Sequence, residues 1–290
     1  MRDAATTVLP SHSLRDLSIR AAIWAAAMLV AGAFVWLLAD LVWHGAGRVD
    51  WSFLTTAPKN AGRGGGIAPI LVSTGLILAV AIVLAAPLGL ATAVFLAEFT
   101  RAGGRLERWI GVSLDVLAGV PSIVFGLFGN AFFCVFLGFG FSILAGGMTL
   151  ACMALPILIR TIESGLRMAP NEWRLGAAAL GVSRGAALWH VLIPAAAPSI
   201  AAGLMLGIGR AMAETAALVF TSGYVDRMPS SLFDSGRALS VHIYDLTMNV
   251  TGGDANAGAS ALVLIALLIL VDSVALWLTG RMFERRISRS

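Results

Sequence analysis

Arg210 and Glu214 stand four residues apart inside the apolar run IPAAAPSIAAGLMLGIGRAMAETAALVFTSG, which reads as one membrane-crossing helix. That spacing puts both side chains on one helix face. An ionised group at mid-bilayer costs about 2.5–3.5 kcal/mol on insertion scales, so it asks for a reason. One reason is a neutralising pair that lowers the cost of burial. The stronger one is a transport pathway, because a planar guanidinium matches the oxygens of a phosphate-like anion. Thr215 and Thr221 sit nearby, each able to donate to a passing anion or to its own helix backbone.

Other chemistries find less support. Gly181-Val-Ser183-Arg-Gly185 fits the G-x-S-x-G nucleophile pattern by letter, but the segment before it is Ala-rich and helical, not a strand. There is no phosphate-binding G-x-x-x-x-G-K-[ST] and no H-E-x-x-H, so neither an ATPase site nor a catalytic metal site is expected in this chain. Cys134 and Cys152 fall in apolar spans without metal-ligand spacing and read as small core residues. No cofactor is expected.

The elements that must position these residues are apolar helices. The 290 residues are 58% hydrophobic and only 12% charged, with a mean hydropathy of +0.87. This is an all-α polytopic membrane protein by composition. Six spans are expected: 21–43, 67–97, 109–136, 143–166, 194–222 and 259–280. The second is interrupted by Pro87 and the third by Gly119, Pro121, Gly126 and Gly129. A broken helix is tolerated in lipid only where protein or a cavity satisfies the freed backbone, so that break faces inward. Residues 1–20 form an N-terminal tail, 21–66 the first span and a Gly-rich loop, 67–280 the main transmembrane unit, and 281–290 a C-terminal tail. The polar stretch 223–258 reads as a loop folded against the membrane with a short helix in it.

The net charge of +4 does not point to nucleic acid, because the basic residues lie at the ends of apolar spans. Arg2, Arg15, Arg20, Arg101, Arg105, Arg108, the arginines from 160 to 184 and those of the C-tail fall on one side. Arg48, Lys59, Arg63, Arg227 and Arg237 fall on the other. Positive charge marks the cytoplasmic face, which places both termini inside. Asp115 and Asp272 have three open readings: a pair with Arg210, a pair with a partner's arginine, or a place near the headgroups. The last is favoured for both. Gly203 and Gly207 make a small-xxx-small pattern that permits close helix packing.

Between the fourth and fifth spans lies NEWRLGAAALGVSRGAALWHVLIP, residues 171–194. Gly181 can end one short helix in the left-handed conformation, Ser183 can cap the next, and Pro194 suits the first turn of the long helix that follows. Gly181, nine residues, then Val191-Leu-Ile193-Pro194 resembles the loop signature of ABC-importer permeases. The usual opening acid-Ala-Ala appears as Leu175, Gly176 and Ala177, so its glutamate is absent. Five further runs, 65–75, 117–129, 155–170, 209–223 and 231–246, are similar to PstA-type phosphate-uptake permeases. The likeness runs from about Gly64 to the C-terminus. Ala213 replaces a glycine common in that family's arginine–glutamate helix.

The resemblance implies six transmembrane helices of the importer-permease type. It implies that Leu175, Gly176, Ala177, Gly181, Val191, Ile193 and Pro194 belong to a coupling segment that docks on an ATPase subunit. It also implies a homologous second permease, two ATPase subunits, an extracytoplasmic phosphate-binding protein, and Arg210, Glu214 and Thr215 along the pathway. Alternatives are a permease for another oxyanion or a phosphonate, and a regulatory subunit of the same complex.

Overall fold

The computed structural model describes residues 14–101 and 103–287, with side chains over 16–101 and 103–277. The expected N-terminal tail lies mostly outside the described residues. Its last part, from Leu14, already belongs to the first helix.

In chain order the helices are α1 (Leu14–Gly45), α2 (Trp51–Thr55), α3 (Ala68–Val94), α4 (Arg105–Gly119), α5 (Ser122–Gly129), α6 (Ile143–Met168) and α7 (Asn171–Ala179). There follow α8 (Arg184–Ala187), α9 (Ile193–Ala195), α10 (Ala197–Met212), α11 (Ala216–Val219), α12 (Leu239–Met248) and α13 (Asp254–Ile287). A two-residue antiparallel pair, Pro58–Lys59 with Gly64–Gly65, closes the Gly-rich loop. Among the described residues, α1, α3, α6 and α13 are each long and apolar enough to cross a membrane; α4 with α5, and α8–α9 with α10, are bent pairs that bring the number to as many as six if each pair is one span.

The centre of the fold is α6 lying between α3 and α10. Small residues set its close approaches. A Cβ at Gly147 would run into Val80, one at Gly89 into Leu158, and one at Gly165 into Ser199. Gly203 faces Leu158 and Thr161 of α6, and Gly207 faces Ala154, so the small-xxx-small pattern packs α10 onto α6 within the chain. Fully buried Ile77, Leu150, Leu158, Ile162 and Leu166 fill the seam. α1 contrasts with this. Its apolar window is 0% buried, and it meets the rest of the chain where Gly45 touches Gly258 at the start of α13.

Three boundaries differ from the sequence reading. The expected third span is two helices bent by 99° at Val120–Pro121, because Pro121 forces its predecessor into the extended region. The expected fifth span bends by 65° at Ala196, where Pro198 at the head of α10 cannot donate backward. Pro194 therefore lies in short α9 rather than opening the long helix. α13 continues to Ile287, so most of the expected C-tail is helix. The loop over 223–238 packs on the protein bundle, where the Ile143 and Leu144 N–H groups donate to the Asp234 and Leu232 carbonyls, and it leads into α12, the short helix expected in this stretch.

Candidate functional site

α10 stops at Met212, two residues short of Glu214. The stop is not written in its own residues. Ser240 Oγ, from α12, donates to the Glu214 carbonyl at 2.6 Å, and the Glu214 carboxylate accepts from the Ala217 backbone N–H at 3.2 Å. Glu214 thus lies past the end of α10 with its carboxylate on the first turn of the short helix α11, so it and Arg210 are not on one continuous helix, which corrects the single-helix expectation. Further on, Asn130 Nδ2 donates to the Phe220 carbonyl at 2.8 Å. The Ser142 N–H donates to the Thr221 carbonyl at 3.0 Å. The Ser222 carbonyl accepts from Ser235 Oγ at 3.0 Å. The carbonyls of Glu214, Phe220, Thr221 and Ser222 are thus each met from another element, in keeping with the demand that irregular backbone at membrane depth be satisfied by protein.

Two of the sequence runs that carried the resemblance meet here. Gly126 of α5 lies against α11, where an added Cβ would fall 2.8 Å from Ala217 Cα, and one at Gly129 would strike Thr149 and Thr221. The glycines of residues 117–129 are what let α11 rest on α5.

Arg210 occupies the last turn of α10, where the helix C-terminus favours a cation. It is exposed on the chain surface. Among the described residues no acceptor takes a hydrogen bond or ion pair from it. Thr215 is half-buried at the break. Thr221 donates to its own helix, to the Ala217 carbonyl at 2.8 Å, so of its two readings the local one holds. Asp115 pairs with Arg160 at 2.7 Å, a partner that none of the three sequence readings contained. Asp272 is half-buried on α13.

At the end of the bundle that carries residues 171–194, the caps are as the sequence implied. Gly181 adopts φ +71°. Its N–H donates to the Ala178 carbonyl and that of Val182 to the Ala177 carbonyl, a Schellman closure of α7. Ser183 Oγ accepts from the Ala186 N–H at 3.2 Å and caps α8. Ser183 sits between two helices, so the nucleophile-elbow geometry is absent. Val191, Ile193 and Pro194 are half-buried against the bundle, whereas Leu175, Gly176 and Gly181 are exposed and Ala177 is half-buried. No residue of α7 is buried, and Leu180 is 83% exposed. The segment packs by its second half and offers its first half outward.

Sequence reasoning missed the ionic lattice beneath it. Arg174 on α7 makes a bidentate contact with Glu98, Nη2 to Oε1 at 2.6 Å and Nε to Oε2 at 3.1 Å. Arg167 reaches Glu107 at 2.7 Å and Glu163 at 3.0 Å. The signal was present as arginines seven apart, at 160, 167 and 174, on one side of the chain's course.

The model of the family of binding-protein-dependent transport system inner membrane components matches residues 85–289. The chain belongs to that family. The permease is 32% identical over 282 residues to the probable ABC transporter permease protein YqgI of Bacillus subtilis, covering 90% of this chain and 94% of that one. It is 35% identical over 249 residues to the phosphate transport system permease protein PstA 1 of Mycobacterium tuberculosis, covering 83% and 81%. Among solved structures, an inward-facing conformation of the MetNI methionine ABC transporter superposes with a TM-score of 0.58 at 17% identity, over 75% of this permease and 94% of that chain. That likeness is one of fold. The permease is thus a multi-pass, all-α membrane protein of the ABC-importer class.

Proposed function

We propose that this chain is one of two homologous permease subunits of an ATP-driven importer that carries inorganic phosphate inward across the cytoplasmic membrane. The unpaired guanidinium of Arg210 carries the reading. A cation without a counter-ion is expensive beside lipid and becomes useful beside a polar path for an anion. The likeness to PstA-type permeases supports phosphate as that anion, and a further relative, phosphate transport system permease protein PstC 1 of Mycobacterium bovis, supports a homologous second subunit.

In this scheme both termini and residues 171–194 face the cytoplasm. ATP hydrolysis belongs to two partner subunits, and an extracytoplasmic binding protein delivers phosphate. The exposed first half of the coupling segment, Leu175, Gly176, Ala177 and Gly181, docks on an ATPase; Val191, Ile193 and Pro194 pass its displacement into the bundle. The spans then rock and expose the path to the other side. Arg210 draws the anion, Thr215 offers a hydroxyl at the break, and the nearby Glu214 carboxylate limits how tightly the anion is held. A conduction path must release what it binds.

The test is radiolabelled phosphate uptake in cells lacking their own high-affinity importer, given the neighbouring transport genes with and without this chain. Uptake should require the chain and ignore excess molybdate or phosphonate. Arg210→Gln should lower it by about tenfold or more, the scale of a hydrogen bond to a charged group, with assembly intact. Competition by molybdate or phosphonate, or full uptake by a well-assembled variant, overturns the respective part.

A further inference from the structure

Arg174 is the residue through which two separate elements of the chain are tied to α7. Its Nε and Nη2 hold Glu98, in the π-helical turn Phe95–Phe99 that ends α3. Its Nη2 also donates to the Leu166 carbonyl at 2.9 Å and its Nη1 to the Ala169 carbonyl at 2.8 Å, both at the C-terminal end of α6. The side chains of Arg174 and Glu98 are only 25% and 15% exposed. A second arginine, in the last turn of α6, repeats the pattern. Arg167 donates to the Leu96 carbonyl at 3.0 Å and to Glu107 on α4 at 2.7 Å.

Apart from these contacts α7 has little hold on the bundle, since none of its own residues is buried. A helix that floats on its apolar neighbours would slide when pushed. A planar guanidinium with fixed donor directions resists sliding, because displacing it breaks several charge-assisted bonds together.

We propose that Arg174 is the positioning residue that converts displacement of α7 into displacement of α3 and α6, through Glu98 and the α6 carbonyls. The proposal rests on the reading that α7 docks on an ATPase subunit. Arg174 touches neither phosphate nor nucleotide. Its role is mechanical and works in both directions, inward from the ATPase and outward from a docked binding protein.

The experiment uses the full complex in proteoliposomes, with basal ATP hydrolysis, its stimulation by phosphate-loaded binding protein, and hydrogen exchange over residues 95–100 and 171–179 read with and without ATP. Arg174→Ala and Glu98→Gln should each assemble and keep basal hydrolysis while losing stimulation by about fivefold or more, the usual scale of coupling between sites. Arg174→Lys, which cannot bridge in two places, should recover only part. The double variant should lose no more than either single one, as expected of two partners in one contact. In the wild type the two segments should change exchange together on adding ATP; in Arg174→Ala they should change separately.

Stimulation retained within twofold, or losses that multiply in the double variant, overturn the proposal. Failure of both single variants to assemble overturns it too, because the pair is then a folding contact. Wild-type complex that takes up no phosphate sinks the substrate assignment alone, since the exchange comparison needs only ATP.

Discussion

The Arg237 guanidinium pairs with Asp245 at 3.1 Å and faces His242 Nδ1 at 3.4 Å, in the loop and helix that fold over the end of the bundle opposite residues 171–194. Burial, reinforced by the Arg237 charge and only partly offset by Asp245, pushes the His242 pKa from 6.5 down to about 4. The unfolded chain therefore binds a proton that the folded chain refuses. The neutral histidine costs nothing above pH 6.5; as pH falls from 6.5 towards 4 stability declines, by about 3 kcal/mol in total from this group, and then levels off. Thermal melting of the purified protein across that window should show the slope, and His242→Gln should flatten it relative to wild type. Equal slopes in both proteins would place the titration elsewhere.

At the scale of elements, the joints between helices matter more than the helices. Gly181 is the clearest joint. Its φ of +71° lies where a Cβ is strained, at a cost of roughly 1–2 kcal/mol. Gly181→Ala should loosen the α7–α8 turn and speed trypsin cleavage after exposed Arg184 by about fivefold or more; an unchanged rate would mean that the turn is held by something else.

This joint was legible from sequence because its chemistry is local: a glycine, a serine two residues on, and a helix on either side. The joint at residues 213–215 was not. Ala213, Glu214 and Thr215 contain no helix breaker, and the carbonyl at the interruption is met by Ser240, 26 residues later in the chain. The same reason hid the Arg174–Glu98 pair, whose members are 76 residues apart. The all-α polytopic fold class and the caps at Gly181 and Ser183 needed only composition and local residue chemistry. That Arg210 and Glu214 are not on one continuous helix needed the tertiary structure.

For the whole molecule, the weight of the fold sits in α3, α6 and α10, while α1 stands largely apart. Leu158 is 2% exposed and Phe34 62% exposed. Leu158→Ala should therefore cost about 2–5 kcal/mol, as a core truncation does, whereas Phe34→Ala should stay within about 0.5 kcal/mol. Melting of the detergent-purified chain distinguishes them, and a comparable loss for Phe34→Ala would show that α1 packs on the chain more closely than its exposure indicates.

The 99° bend between α4 and α5 decides how this part of the chain can stand in a bilayer. α4 has 15 residues, about 22 Å of helix, against a hydrocarbon core of about 30 Å. α5 with its π-helical continuation to Phe136 is equally short. Neither half alone is long enough to span that core, so the two count as a crossing only as a pair, and the backbone groups freed at the bend need protein rather than lipid beside them.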